Sequence, residues 1–223
     1  MRKISLAQTL CFLVLLSVAC ALGIASTVLL LGRLPLGDFR GVVLFTAGVV
    51  FIYAWAIALN RTFLLFFPLR EGYVVPGSRE EFRYHVYLLF YLVLFQSLTR
   101  SLAIPVPLMR AIYLALGAKL GKNSYSAGVI LDPPLTVVGD NCIIGHDAVL
   151  FAHAVEGADL ALAPITIGNN VTIGAKAVVQ PGVVIEDDAI VAVSAVVKKG
   201  THIRRGERWG GIPARPIRVE AKK

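Results

Sequence analysis

Two periodicities divide the chain. In the first, apolar positions run on without a polar face: no charged residue occurs from Ile4 to Gly32, or from Gly41 to Asn60. Each run reaches the roughly 20 residues that carry an α-helix across a hydrocarbon core. The turn GRLPLGDFR (32–40) joins them, which predicts a transmembrane helical hairpin over residues 1–68. A cleaved signal peptide, suggested by Arg2, Lys3 and LSVACALG, is disfavoured because its apolar region is only about 7–15 residues long. A third apolar run, Val86–Leu98, is short for a span and reads as an interfacial, re-entrant or buried helix within a membrane-proximal segment, 69–119. Pro105 and Pro107 break it. PLMRAIYLALGAKLG (107–121) then reads as an amphipathic stretch leading into the soluble part.

The second periodicity is six. Val138, Ile144 and Leu150 share one phase, as do Ile167, Ile173, Val179, Ile185, Val191, Val197 and Ile203. Four positions after members of this series come Cys142, Ala148, Val171, Ala177, Val183, Ala189 and Ala195, and glycine stands at 139, 145, 168 and 174. An inward aliphatic followed by a small or flexible corner, repeated every six residues, is the signature of a parallel β-helix. Three hexads close a triangular coil, giving about four coils over 120–203: 120–137, where SAGVILDPPLTV is degenerate, then 138–155, 167–184 and 185–202. Leu150 to Ile167 is 17 residues, not a multiple of six, so the stretch near 156–166 is expected to leave the coil as a projecting loop. Such excursions are more often functional than idle. The remainder, 204–223, reads as a basic tail.

Composition sharpens the first half. The chain of 223 residues is 57% hydrophobic with mean hydropathy +0.73, well above globular usage. Its formal charge of +8 suits anionic lipid or a polyphosphate ligand, and the apolar first half argues against nucleic acid as partner. Arg61, Arg70, Arg79 and Arg83 outnumber Arg33 and Arg40 of the short turn, which places both termini in the cytoplasm of a multi-pass inner-membrane protein. Cys11, Cys20 and Cys142 make no disulfide framework and are expected as reduced thiols.

PITIGNNVTIGAKAVVQPGVVI (164–185), AIVAVSAVVKKG (189–200) and GIPARPIR (211–218) resemble the hexapeptide-repeat acyltransferases, such as the galactoside, maltose and xenobiotic acetyltransferases. The resemblance covers about the last hundred residues. The apolar front half is similar to membrane-linked members. The family implies a left-handed β-helix, acetyl-CoA or another acyl-CoA as donor, and a closed homotrimer with sites between subunits. It also implies that His153, in LFAHAVEG, is the general base that deprotonates an acceptor hydroxyl or amine as it attacks the thioester. A neutral imidazole suits that task near pH 7. By the same resemblance Gly174 and Ala175 supply an oxyanion donor. Val193, Ser194 and Ala195 border the pantetheine, and Lys198, Lys199, Arg215 and Arg218 meet the CoA phosphates. The alternative for these cations is a basic tail on anionic lipid. The chain departs from the family at Thr172, where soluble members commonly carry tryptophan, and around THIRRGERWGG, where Trp209 is the candidate replacement surface or a membrane anchor.

Glu156, three residues after His153, is a candidate to orient the imidazole or is simply solvated. His146 falls at an outward hexad position. A γ-class carbonic anhydrase would need three histidines on zinc, and only His146 and His153 are close in repeat terms, so no metal is expected. A non-catalytic β-helix, recruiting a membrane biosynthetic partner through the hairpin, is the alternative of another class. The favoured expectation is a membrane-anchored acyltransferase acting on a sugar or amine acceptor that is lipid-linked or made at the membrane.

Overall fold

The computed structural model describes residues 2–101 and 104–217, and the chain divides into two compact units. One comprises residues 2–68 and 77–96, the other 69–76 and 97 onward.

The first unit is helical: α1 Leu6–Leu31, α2 Arg40–Phe66 and α3 Arg79–Phe90, the last continued by a π-helical turn, Tyr91–Phe95. Helix α1 begins at a capping box, in which Ser5 Oγ accepts from the Gln8 amide and Gln8 Oε1 from the Ser5 amide. The turn that follows it is held by Arg40, which donates to the C-cap carbonyl Gly32 O at 2.6 Å and to Leu34 O at 2.9 Å. Helices α1 and α2 pack closely because small residues face the crossing: Ala19, Gly23 and Thr27 are buried one turn apart, and a Cβ on Gly23 would lie 2.8 Å from the Ile52 backbone. Leu6–Leu31 and Gly37–Phe66 are long and apolar enough to cross a membrane, and only 17% and 6% of their most apolar windows are buried. A core helix of a soluble protein would hide that surface. The apolar run from Val86 instead turns Val86, Tyr87, Phe90, Tyr91 and Phe95 into packed protein, with Phe90 edge-on to Phe12 of α1 at 5.1 Å.

The second unit is a parallel β-helix. Face 1 stacks β2 (Lys119–Leu120), β5 (Thr136–Val138), β10 (Ile165–Ile167), β13 (Val184–Ile185) and β16 (His202–Ile203). Face 2 stacks β3 (Tyr125–Ser126), β6 (Ile143–Ile144), β11 (Thr172–Ile173), β14 (Ile190–Val191) and β17 (Arg208–Gly210). Face 3 stacks β4 (Val129–Ile130), β7 (Val149–Leu150), β12 (Val178–Val179) and β15 (Val196–Val197). Leu120, Val138, Ile167, Ile185 and Ile203 stand in register on face 1, the expected phase with its single slip. Every in-phase aliphatic and every small residue four positions on is buried, Cys142 among them as a free thiol.

Asx residues hold the corner between faces 1 and 2. Asp140, Asn169 and Asp187 each accept a backbone amide from a neighbouring coil, at 2.6–2.8 Å, and Asn141, Asn170 and Asp188 take positive φ. Helix α5 (Val106–Leu116), which follows the short helix α4 (Gln96–Thr99), packs on β2 and β3 at the end of the β-helix. Its buried Tyr113 hydroxyl donates to Gly128 O at 3.0 Å and accepts the Ile130 amide at 3.1 Å. Burial pushes the Tyr113 pKa up to about 12, so the hydroxyl stays a donor. Part of the stretch expected as a tail forms strands: β17 pairs with β14, and β18 (Arg215–Pro216) folds back antiparallel on β17.

The expected loop is a β-hairpin. β8 (His153–Glu156) pairs antiparallel with β9 (Asp159–Leu162), and β1 (Gly72–Tyr73) adds a third strand to β9. It leaves the coil at His153 rather than at 156, since His153 already pairs with Leu162. Leu160 and Leu162 are buried in the chain itself.

Candidate functional site

The site begins with an irregular corner. In the first coil the inward positions are Leu120, Ser126, Ile130 and Val138, so face 3 comes two residues early and the next corner is two residues longer. That surplus forms a 3₁₀ turn, Pro133–Leu135, fixed by the two prolines and by Thr136 Oγ1 donating to Asp132 O at 2.9 Å. Asp132 is thereby set beneath the point where the hairpin leaves the next coil. Its carboxylate is 2% exposed, and Oδ2 accepts the Ala152 amide at 2.7 Å and meets His153 Nδ1 at 2.7 Å.

Burial is the largest single influence on His153 and opposes the charged ring. The Asp132 hydrogen bond and charge together outweigh it, so the pKa is raised above the ordinary value. The backbone amide at Ala152 can only donate, which keeps the carboxylate oxygen between it and the imidazole. Nδ1 then carries the proton and Nε2 is the basic nitrogen. The ring is a quarter exposed and lies 5.9 Å from Phe151, centroid to centroid.

Strand alternation sends Glu156 the other way. With Tyr73, Ala154, Asp159 and Lys199 it lines a cavity of about 410 Å³ on the opposite face of the hairpin, and its carboxylate pairs with Lys199. The carboxylate that meets His153 is therefore Asp132, not Glu156. Lys199 is held by this hydrogen bond, which raises its pKa, while Lys198 and Arg215 are exposed and Arg218 lies outside the described residues. Asp132 was missed in sequence because the coil containing it is degenerate; an aspartate within the aliphatic stretch VILDPPL was the available signal.

The other candidates stand at a different corner, between faces 2 and 3. The Gly174 amide is spent on Val191 O at 2.7 Å. Ala175, partly exposed, makes no such amide bond among the described residues. One coil on, Ser194 takes a left-handed φ of 57°, Ala195 is buried and Val193 is exposed. Within one chain His153 and this strip occupy separate edges of the β-helix. Of the remaining histidines, His146 lies 3.5 Å from Asp147 and His202 2.7 Å from Glu186, all exposed, while His85 bonds Gln8 among the helices. Trp209 is half-buried, donating to Glu207 at 2.8 Å.

Residues 164–199 match the family described as bacterial transferase hexapeptide (six repeats). Among solved structures, the chain is similar to a hexapeptide-repeat acetyltransferase from Vibrio cholerae, with 20% identity over 55% of this chain and 84% of that one at a TM-score of 0.46. It is similar to a galactoside acetyltransferase in complex with coenzyme A, with 24% identity over 58% and 78% at 0.44. It is also similar to a serine acetyltransferase from Neisseria gonorrhoeae, with 19% identity over 93% and 68% at 0.41. A search of curated proteins gives no match.

Proposed function

We propose that this chain, whose residues 164–199 carry the bacterial transferase hexapeptide repeat, is a membrane-anchored acyltransferase that moves an acyl group, most simply acetyl, from coenzyme A to a hydroxyl or amine. The observation that carries the reading is the His153–Asp132 pair at the foot of the hairpin. Asp132 holds the proton on Nδ1 and leaves Nε2 to accept a proton from the acceptor as its oxygen or nitrogen attacks the thioester carbonyl. The tetrahedral oxyanion takes a hydrogen bond from the Ala175 amide. It collapses with cleavage of the C–S bond, and the departing thiolate receives the proton from His153. The Asp132 carboxyl faces the imidazolium that forms between the two steps.

The donor lies along Val193, Ser194 and Ala195, with Lys198 and Arg215 toward its phosphates. Because that strip and His153 belong to different corners of one chain, the complete site takes the base from one copy and the strip from another, which a closed homotrimer supplies. The exposed apolar surface of α1 and α2 supports insertion in the cytoplasmic membrane. The β-helix then faces the cytoplasm, where acyl-CoA is made, and the acceptor is a sugar or amine that is lipid-linked or made at the membrane.

The test is purified full-length protein in detergent, given acetyl-CoA and a membrane glycolipid extract. Free thiol release and an acetyl mass increment on one acceptor are expected, and His153→Ala lowers the rate by about 10²–10⁴. Unchanged transfer by His153→Ala overturns the mechanism, and a purely monomeric mass in detergent overturns the shared site.

A further inference from the structure

A second site stands in the helical unit, where α2 ends. A cavity of about 200 Å³ is lined by Phe63, Phe67, Arg79, Phe82 and Arg83. Arg83, one of the lining residues, has its Nη1 buried with no hydrogen bond among the described residues, Glu80 Oε1 standing 3.7 Å away, beyond hydrogen-bond reach. Its guanidinium lies 6.0 Å from the Phe67 ring centroid, a contact that attracts the cation but offers no oxygen. Arg79 reaches the same cavity from an exposed position. Two guanidinium groups against one carboxylate leave the cavity cationic, and the planar fork of arginine matches phosphate oxygens.

The rest of the lining is aromatic, which a free inorganic ion has no use for and an amphiphile does. Leu65 and Phe66, each 75% exposed, continue the apolar surface around the same helix end. The end of a membrane-crossing helix is where lipid headgroups lie. We propose that this cavity binds the phosphate of an anionic membrane phospholipid, Arg83 and Arg79 on the phosphate oxygens and the three phenylalanines on the glycerol and the start of the acyl chains. The proposal rests on the reading of α1 and α2 as membrane-inserted, and it is independent of acyl transfer.

Full-length protein in a non-ionic detergent is titrated with dioleoyl phosphatidic acid, dioleoylglycerol or inorganic phosphate, with retained lipid read by native mass spectrometry. One phosphatidic acid per chain is expected, with no retention of dioleoylglycerol and no displacement by equimolar inorganic phosphate. Arg83→Gln and Arg79→Gln each weaken retention roughly tenfold or more, whereas Arg208→Gln, the same loss of charge in the other unit, leaves it unchanged. Equal retention by both cavity variants, or equal retention of dioleoylglycerol, overturns the site. Displacement by equimolar phosphate overturns the lipid as its source. Arg79 is exposed, so its variant carries the test if Arg83→Gln does not fold. Protein that resists alkaline washing from membranes yet retains no phosphatidic acid overturns the site alone; protein that washes off overturns the anchoring on which it rests.

Discussion

Asp132→Asn removes a charge and keeps a shape. Asp132 Oδ2 faces both the Ala152 amide and His153 Nδ1 at 2.7 Å. An asparagine turned with its NH₂ toward them would set donor against donor at Ala152, so its carbonyl oxygen takes the place of Oδ2 and His153 keeps its tautomer. What is lost is the charge-assisted share. A hydrogen bond to an ionised group contributes about 1.5–3 kcal/mol and a neutral one about 1, so the imidazolium loses about 0.5–2 kcal/mol and kcat falls roughly 2–30-fold. The pH dependence moves as well. The base acts when neutral, so native activity rises with pH through a His153 pKa that Asp132 holds above its ordinary value. Without the charge, burial opposes the imidazolium with less resistance and the rise moves to lower pH. The same raised pKa makes the pair stabilising below the unfolded histidine value, and that contribution is lost as pH rises through the folded value. The difference in unfolding midpoint between native protein and Asp132→Asn should therefore shrink from acidic to alkaline pH. Acetyl transfer and denaturant unfolding, both measured from about pH 5.5 to 9 across the histidine range, check the two effects. A rate profile that overlays the native one, or moves to higher pH, refutes the reasoning.

Glu156→Gln should leave the pH–rate profile of acetyl transfer in place, since its carboxylate faces Lys199 across the hairpin rather than His153; a shift as large as that of Asp132→Asn would reverse the assignment. Tyr113→Phe removes two buried hydrogen bonds, the one accepted from the Ile130 amide and the one donated to the Gly128 carbonyl, and at about 0.5–1.5 kcal/mol each thermal unfolding should report a loss of about 1–3 kcal/mol. Gly23→Val drives a side chain into Ile52, where a Cβ alone lies 2.8 Å from its backbone. Spin labels on α1 and α2 should then separate, with a lower unfolding temperature in detergent.

The residues that repeat were legible, because each coil imposes the same demand on the same position. An aliphatic every six residues predicted the register of Val138, Ile167, Ile185 and Ile203, and the small residues at 142, 148, 177, 189 and 195 proved to be buried. The long apolar runs likewise predicted α1 and α2, since no local choice competes with helix in so apolar a segment. Pairings between residues far apart in sequence carry no such period. Nothing local to GYVVP announces that Gly72 and Tyr73 will pair with the hairpin strand Asp159–Leu162. The strands over 208–216 escaped for a related reason: RWGG and RPIR lack the hexad aliphatics, and their order comes from the free edge of face 2 that β14 offers.

His153 was legible as a residue but not as a pair, and the reason is physical. A regular hexad has no position that both buries a carboxylate and leaves it a partner, because its inward places need aliphatics and its outward places meet water. A buried acid can enter such a fold only where the count fails. It fails twice at one corner, in consecutive coils: Ile130 to Val138 is eight residues and Leu150 to Ile167 is seventeen. The first surplus makes the turn that seats Asp132, the second makes the hairpin that begins at His153, and the stacking of one coil on the next sets them 2.7 Å apart. Either irregularity alone would give a solvated loop or an uncompensated buried charge. In this fold, two departures from the period at the same corner of adjacent coils mark where chemistry is placed.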